Sequence, residues 1–142
     1  MKKIFLSALL VFSLGAVSFA QCDEQVILTS STTEYLDSNN VVEKSVAENS
    51  TIKINKSASL TIAPGNDHEM TGTITQNSCD WKSPYKEGKS VISATIKDES
   101  GDVKNATLTI EGKDGKVTLV LEVKEMPGRK IRVAIDSFRE DK

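Results

Sequence analysis

The sequence is poor in the residues from which most catalytic and metal sites are built. It contains one histidine, His68, and two cysteines, Cys22 and Cys79, among 142 residues. A zinc site needs three or four ligands of this kind, and a catalytic triad needs a nucleophile, a base and an orienting acid together. His68 lies between Asp67 and Glu69, and no motif places a nucleophile beside it. We therefore predict no catalytic residue, no metal site and no cofactor.

Several motifs of enzymes and of nucleic-acid-binding proteins are missing as well. No glycine-rich loop opens a helical pattern, as phosphate-binding motifs require. Carboxylates are numerous, but no motif singles out the facing pair of a glycoside hydrolase, so a hydrolase is the least favoured of the functions that we consider. Lysines and glutamates are interspersed rather than grouped, which disfavours a nucleic acid as partner. After residue 20 no apolar run is long enough for a membrane span.

The first twenty residues have the pattern of a bacterial-type signal peptide. Lys2 and Lys3 form a basic start, and residues 4–17 form a short apolar run. Ser18 and Ala20 then place small residues at the positions that a signal peptidase recognises. We predict cleavage after Ala20 and a mature protein that is periplasmic or secreted.

The remaining chain, residues 21–142, is long enough for one domain with one core. An even number of cysteines in an exported protein favours a disulfide, here between Cys22 and Cys79. Such a bridge would tie the N-terminus of the domain to the residues before Trp81. It would stabilise the fold by on the order of 4 kcal/mol, through the unfolded state.

Apolar and polar residues alternate in four segments between residues 90 and 138, which is the period of strands with one buried face. β-branched residues, which favour strands, are frequent there. The buried faces carry the residues that we predict to line the interior of the domain, namely Ile92, Ile96, Leu108, Ile110, Leu119, Leu121, Val133 and Ile135.

Turn signals predict how neighbouring strands are aligned. Asp114 and Gly115 predict a two-residue turn that pairs Leu108 with Leu121. Three-residue loops at 55–57, 100–102 and 126–128 would pair Ile54 with Ala58, Ile96 with Ala106 and Val123 with Ile131.

The first half of the domain is less regular. It offers short strand candidates at residues 26–29, 33–36, 41–47 and 51–54, and either set of alternate residues in 41–47 could face inward. In all, eight to ten short strands with closely spaced turns indicate an all-β fold. Sequential hairpins favour an antiparallel up-and-down meander closed into a barrel, which is lipocalin-like in architecture only. A β-sandwich is the alternative.

The first functional hypothesis is an exported, non-enzymatic binding module. Two of the four aromatic residues after residue 20, Trp81 and Tyr85, lie in one segment near Cys79. Rigid aromatic side chains on an anchored loop suit the recognition of a protein or a glycan. Alternatively, Trp81 folds back and plugs one end of the barrel.

The second hypothesis is a carrier. An eight-stranded barrel is just wide enough either to fill itself with side chains or to hold one small ligand. Because the predicted lining is aliphatic and the C-terminal half shows no buried charge, we expect a ligand in the barrel to be small and apolar. A fully packed interior is the alternative.

Overall fold

A computed structural model describes residues 24–141 of the protein, except Ser57, Asp67 and Glu99. Eight antiparallel strands follow one another in chain order, and the last pairs with the first, which closes the barrel. The predicted all-β meander barrel is confirmed, and the sandwich is not the fold. The predicted signal peptide and Cys22 lie outside the described residues. The strands are β1 (Gln25–Asp37), β2 (Val42–Asn55), β3 (Ser59–Ala63), β4 (Met70–Ser83), β5 (Glu87–Lys97), β6 (Val103–Lys113), β7 (Lys116–Val123) and β8 (Arg129–Glu140).

The first two strands are long and irregular. Each covers two of the short strands predicted from the sequence. In β2, Glu48 and Asn49 together oppose the single residue Ser31 of β1, which is a β-bulge. Polar residues at a bulge resemble a turn in the sequence, which explains why one strand was predicted as two.

The turn at Asp114 and Gly115 is confirmed. Both residues have positive φ, 53° and 78°, as a type I′ hairpin turn requires. Leu108 lies opposite Leu121, as predicted.

The other three predicted pairings are wrong by two residues. All three loops occupy other positions than predicted. At the β5–β6 loop the reason is a side chain that binds the backbone: the Asp98 carboxylate accepts the N–H groups of Ser100 and Asp102, each at 3.0 Å. A shift of two residues keeps every side chain on its own face, so the predicted inward residues stay inward. The observed pairs are Ile54 with Leu60, Ala94 with Ala106, and Leu121 with Ile131.

The two ends of the barrel differ. We call the end that contains the β4–β5 and β6–β7 turns the closed end, and the end with the β1–β2, β5–β6 and β7–β8 turns the open end. At the closed end Trp81, 2% exposed, packs edge-on against Phe138 at a centroid distance of 5.6 Å. Its Nε1 donates to Ser90 Oγ at 2.7 Å. Tyr85 packs on the same phenyl ring at 4.9 Å. These aromatic rings plug the closed end.

The barrel wall has a gap beside β3. This strand has five residues and pairs with only the last five residues of β2. Among the described residues, the first part of β2, Val42–Ser50, pairs with β1 alone. The 3₁₀ turn Pro64–Asn66, which follows β3, lies next to this gap, and Gly65 N donates to Ser50 Oγ at 3.4 Å.

Candidate ligand-binding cavity

A cavity occupies the half of the barrel nearer the open end, next to the gap. It is not enclosed, and the space open to the centre of a water molecule is about 60 Å³. Seven aliphatic or methionine side chains and a proline form most of its wall, which we call the apolar floor: Ile52, Ile62, Pro64, Met70, Leu119, Leu121, Ile131 and Val133.

The predicted lining residues divide between this cavity and the packed remainder of the barrel. Leu119, Leu121 and Val133 line the cavity. Ile135 is half-buried against the core. The other four are buried nearer the closed end or in the β5–β6 wall, where a second space measures only about 20 Å³: Ile92, Ile96, Leu108 and Ile110.

Four polar residues, Thr33, Tyr35, Glu48 and Ser50, complete the wall of the cavity. We call them the polar wall. These residues face the cavity because of irregularities in the pairing of β1 with β2 and with β8. In β1 the inward positions change from Leu28, below the irregularity, to Thr33 and Tyr35 above it, because two residues of β1 oppose one of β8 at that point.

Two atoms of the polar wall are buried without a partner. Thr33 is 4% exposed, and its Oγ1 hydrogen-bonds no other described group. Glu48 Oε1 is likewise buried and unpartnered. A buried polar atom normally has a hydrogen-bond partner, and leaving one unpaired costs about 1–3 kcal/mol, more for a charged group. These atoms are therefore the points at which a bound molecule would gain most.

Tyr35 stands beside this carboxylate. Burial and the charge of Glu48 raise the pKa of its phenol above the ordinary value, so the hydroxyl stays protonated at neutral pH and can donate a hydrogen bond. Lys44 Nζ lies over the Tyr35 ring, 6.0 Å from the ring centroid. This distance is within reach of a cation–π contact.

Two cationic side chains of β8, the strand that pairs with β1, bind groups other than Glu48. Arg132 Nε lies 3.0 Å from Glu34 Oε1. Lys130 Nζ lies 3.2 Å from Glu122 Oε1 and donates to Asn40. Neither cation neutralises Glu48.

The aromatic residues predicted to bind a partner lie at the opposite, closed end. Trp81 is in the core, as the alternative interpretation expected. Tyr85 is half-buried, and its hydroxyl donates to the Glu24 carboxylate. Burial, followed by this hydrogen bond, raises the pKa of Tyr85 well above its ordinary value. The structure does not bring Trp81 and Tyr85 together as an exposed contact surface.

The remaining predicted site residues give no second centre. His68 is exposed between β3 and β4. Cys79 is not a free thiol. Its predicted partner, Cys22, lies outside the described residues, so that pairing stays a prediction. Over the described ranges, no cluster of three or more histidine, cysteine or acidic side chains is placed to hold a metal, and no helix has the length and hydropathy to cross a membrane.

Sequence reasoning missed the polar wall. The facing of residues 41–47 was ambiguous, and the first half of the chain was divided into short strands at the very residues that form the bulges. The available signal was the break in alternation near Ser30 and Ser50, two serines that are buried at 3% and 5% exposure. Comparison of the chain with protein-family models, curated proteins and solved structures gives no match.

Proposed function

We propose that the protein is a binding protein, not an enzyme, and that it holds a small, mainly apolar molecule in the cavity near the open end. The observation that carries this proposal is the combination of an apolar floor with two unpartnered polar atoms, Thr33 Oγ1 and Glu48 Oε1, on one wall. Binding sites for small molecules have this composition: apolar surface supplies affinity, and a few polar groups fix orientation.

The rim of the open end supports this proposal. Val41, Val42, Val103 and Met126 are between 39% and 63% exposed, and they are the large hydrophobic side chains that stand exposed in the described chain. All four lie at or beside the turns of the open end. An exposed apolar rim is typical of a binding surface, and here it surrounds the end with the cavity.

The size of the cavity limits the ligand. A space of about 60 Å³ for water centres has room for a few water molecules or for a short alkyl group. Each buried methylene contributes about 0.8 kcal/mol, which is roughly a fourfold gain in affinity. We therefore expect affinity to rise over a short series of alkyl chains and to level off once the cavity is filled.

Calorimetric titration with straight-chain alcohols from butan-1-ol to octan-1-ol tests the proposal. Ile131 and Ile135 offer a matched pair of variants, because both are half-buried on β8 but only Ile131 lines the cavity. We expect Ile131→Phe to weaken hexan-1-ol binding about tenfold and Ile135→Phe to leave it within threefold. No binding across the series, or equal losses in both variants, would refute the proposal.

We also propose that the protein works after export, in the periplasm or outside the cell, with a Cys22–Cys79 disulfide. The support is the basic, apolar and small-residue pattern of the first twenty residues, together with a Cys79 that is not a free thiol. The intact mass of protein isolated from the medium or periplasm tests both points. We expect a chain that begins at Gln21 and gains two hydrogens on reduction.

A further inference from the structure

We infer that the cavity selects a primary ammonium group, with Glu48 as its counter-ion and Thr33 and Tyr35 beside it. This inference rests on the proposed function, because it names the polar group of the molecule that the cavity would hold. It places the alkyl part of the ligand on the apolar floor and the ammonium group at the polar wall.

The case begins with the chemistry of Glu48. An ionised carboxylate accepts hydrogen bonds and donates none, so its buried and unpartnered Oε1 needs a donor. A charged donor gives the stronger bond, because hydrogen bonds between an ammonium group and a carboxylate are charge-assisted. Two cations of β8, Arg132 and Lys130, do not fill this role, since they bind Glu34 and Glu122.

The other polar groups of the wall fit the same ligand. Thr33 Oγ1 has lone pairs free to accept a second N–H of an ammonium group, which has three N–H donors. The Tyr35 ring already has one ammonium group near it, because Lys44 Nζ lies 6.0 Å from its centroid. Aromatic rings attract cations in this position. Carboxylate, hydroxyl and aromatic ring together are therefore suited to an amine.

The same wall disfavours an anion. A carboxylate ligand would put a second negative charge beside Glu48 in a partly desolvated site, where like charges repel strongly. A neutral alcohol avoids this repulsion but forms only the weaker hydrogen bond of an uncharged donor. The expected order of affinity at neutral pH is amine, then alcohol, then carboxylate.

Three probes with the same tail test the inference: hexylamine, hexan-1-ol and hexanoate, titrated into the mature protein at pH 7 and low ionic strength. We expect hexylamine to bind at least tenfold more tightly than hexan-1-ol, and hexanoate to bind more weakly than both. Glu48→Gln keeps the shape of the side chain and removes its charge. This variant is expected to lose at least tenfold in affinity for hexylamine and to keep that for hexan-1-ol within threefold.

Glu43→Gln is the matched control, because Glu43 is an exposed acid on the same strand and does not line the cavity. It is expected to bind all three probes like the wild type. Equal affinity of the wild type for hexylamine and hexan-1-ol would overturn the inference and leave the proposed function intact. Equal losses of hexylamine affinity in Glu48→Gln and Glu43→Gln would likewise overturn the inference and leave the proposed function intact. Failure of all three probes to bind would overturn the proposed function and the inference with it.

Discussion

At the scale of single residues, the closed end depends on two glycines that make room for Trp81. Gly88 lies opposite Trp81, and Gly112 lies opposite Gly88 on the next strand. A Cβ on Gly112 would come within 2.4 Å of the Lys86 carbonyl oxygen and 2.9 Å of the Trp81 ring. Neither contact is possible without movement of the backbone or of the indole. Glycine in these strands therefore marks a close approach of neighbouring groups.

Gly112→Ala is expected to lower the free energy of unfolding by about 1–3 kcal/mol, because overpacking a filled core has a cost of that size. Gly128→Ala is the control, since a Cβ there has no neighbour within 4 Å, and it is expected to change stability by less than about 0.5 kcal/mol. Urea denaturation followed by Trp81 fluorescence measures both. Similar effects of the two substitutions would contradict this description of the closed end.

Tyr85 gives the closed end a dependence on alkaline pH. Burial and the hydrogen bond to Glu24 raise its pKa in the folded protein, while the phenol of the unfolded chain ionises near pH 10. The stabilising contribution is thus fully present below about pH 10 and is lost as the pH rises above that value, because only the unfolded chain then releases the proton.

We expect the difference in unfolding free energy between the wild type and Tyr85→Phe to be constant from neutral pH to about pH 9.5 and to move in favour of the variant above about pH 10. Urea denaturation at a series of pH values measures this difference. A difference that stays constant through the alkaline range would show that the hydroxyl of Tyr85 is as free in the folded protein as in the unfolded chain.

At the scale of elements, β3 is the weakest part of the barrel wall. It has five residues, against eight to fourteen in the other strands. Among the described strands, β1 alone pairs with the first part of β2. By contrast, β6 is paired on both sides over most of its length, with β5 over residues 103–112 and with β7 over residues 106–113. Local opening is easiest where few neighbours must be separated, so this side of the cavity is where a ligand would enter.

Hydrogen exchange tests this difference between strands. The most protected amides of β3 are expected to exchange at least about tenfold faster than those of β6, because β3 opens locally while β6 exchanges only on wider unfolding. The exchange rates of the two strands are compared by NMR under native conditions. Equal protection of β3 and β6 would mean that the wall opens only as a whole.

The strands also show what a sequence can predict. Regular alternation and one strong turn were sufficient for the β6–β7 hairpin, where Leu108 meets Leu121 as expected. Loops of three residues were placed less well. In the β5–β6 loop the Asp98 carboxylate binds backbone N–H groups and fixes where β5 ends. The polar wall was out of reach, since a bulge such as that at Glu48 and Asn49 reverses alternation and is indistinguishable from a turn without knowledge of the partner strand.

At the scale of the whole molecule, the barrel combines a packed half and a half that contains a small cavity. The rings of Trp81 and Phe138 close one end. The disulfide proposed for Cys79 would add a covalent link on β4, the strand that also carries Trp81. The open end has an apolar rim, a gap in the wall and a cavity with unpartnered polar atoms. A packed half beside a half with a cavity is the arrangement that the proposed ligand binding requires.

The central claim, that a ligand occupies the open half, is tested most directly by methyl NMR during a titration with hexylamine. The same titration is made with hexan-1-ol and hexanoate, so that the claim does not depend on the charge of the probe. The account predicts that, with at least one probe, the methyl resonances of Leu121, Ile131 and Val133 shift in a saturable way, while those of Leu108 and Ile110 in the packed half stay unchanged. Unchanged resonances with all three probes, or shifts that are largest at Leu108 and Ile110, would contradict it.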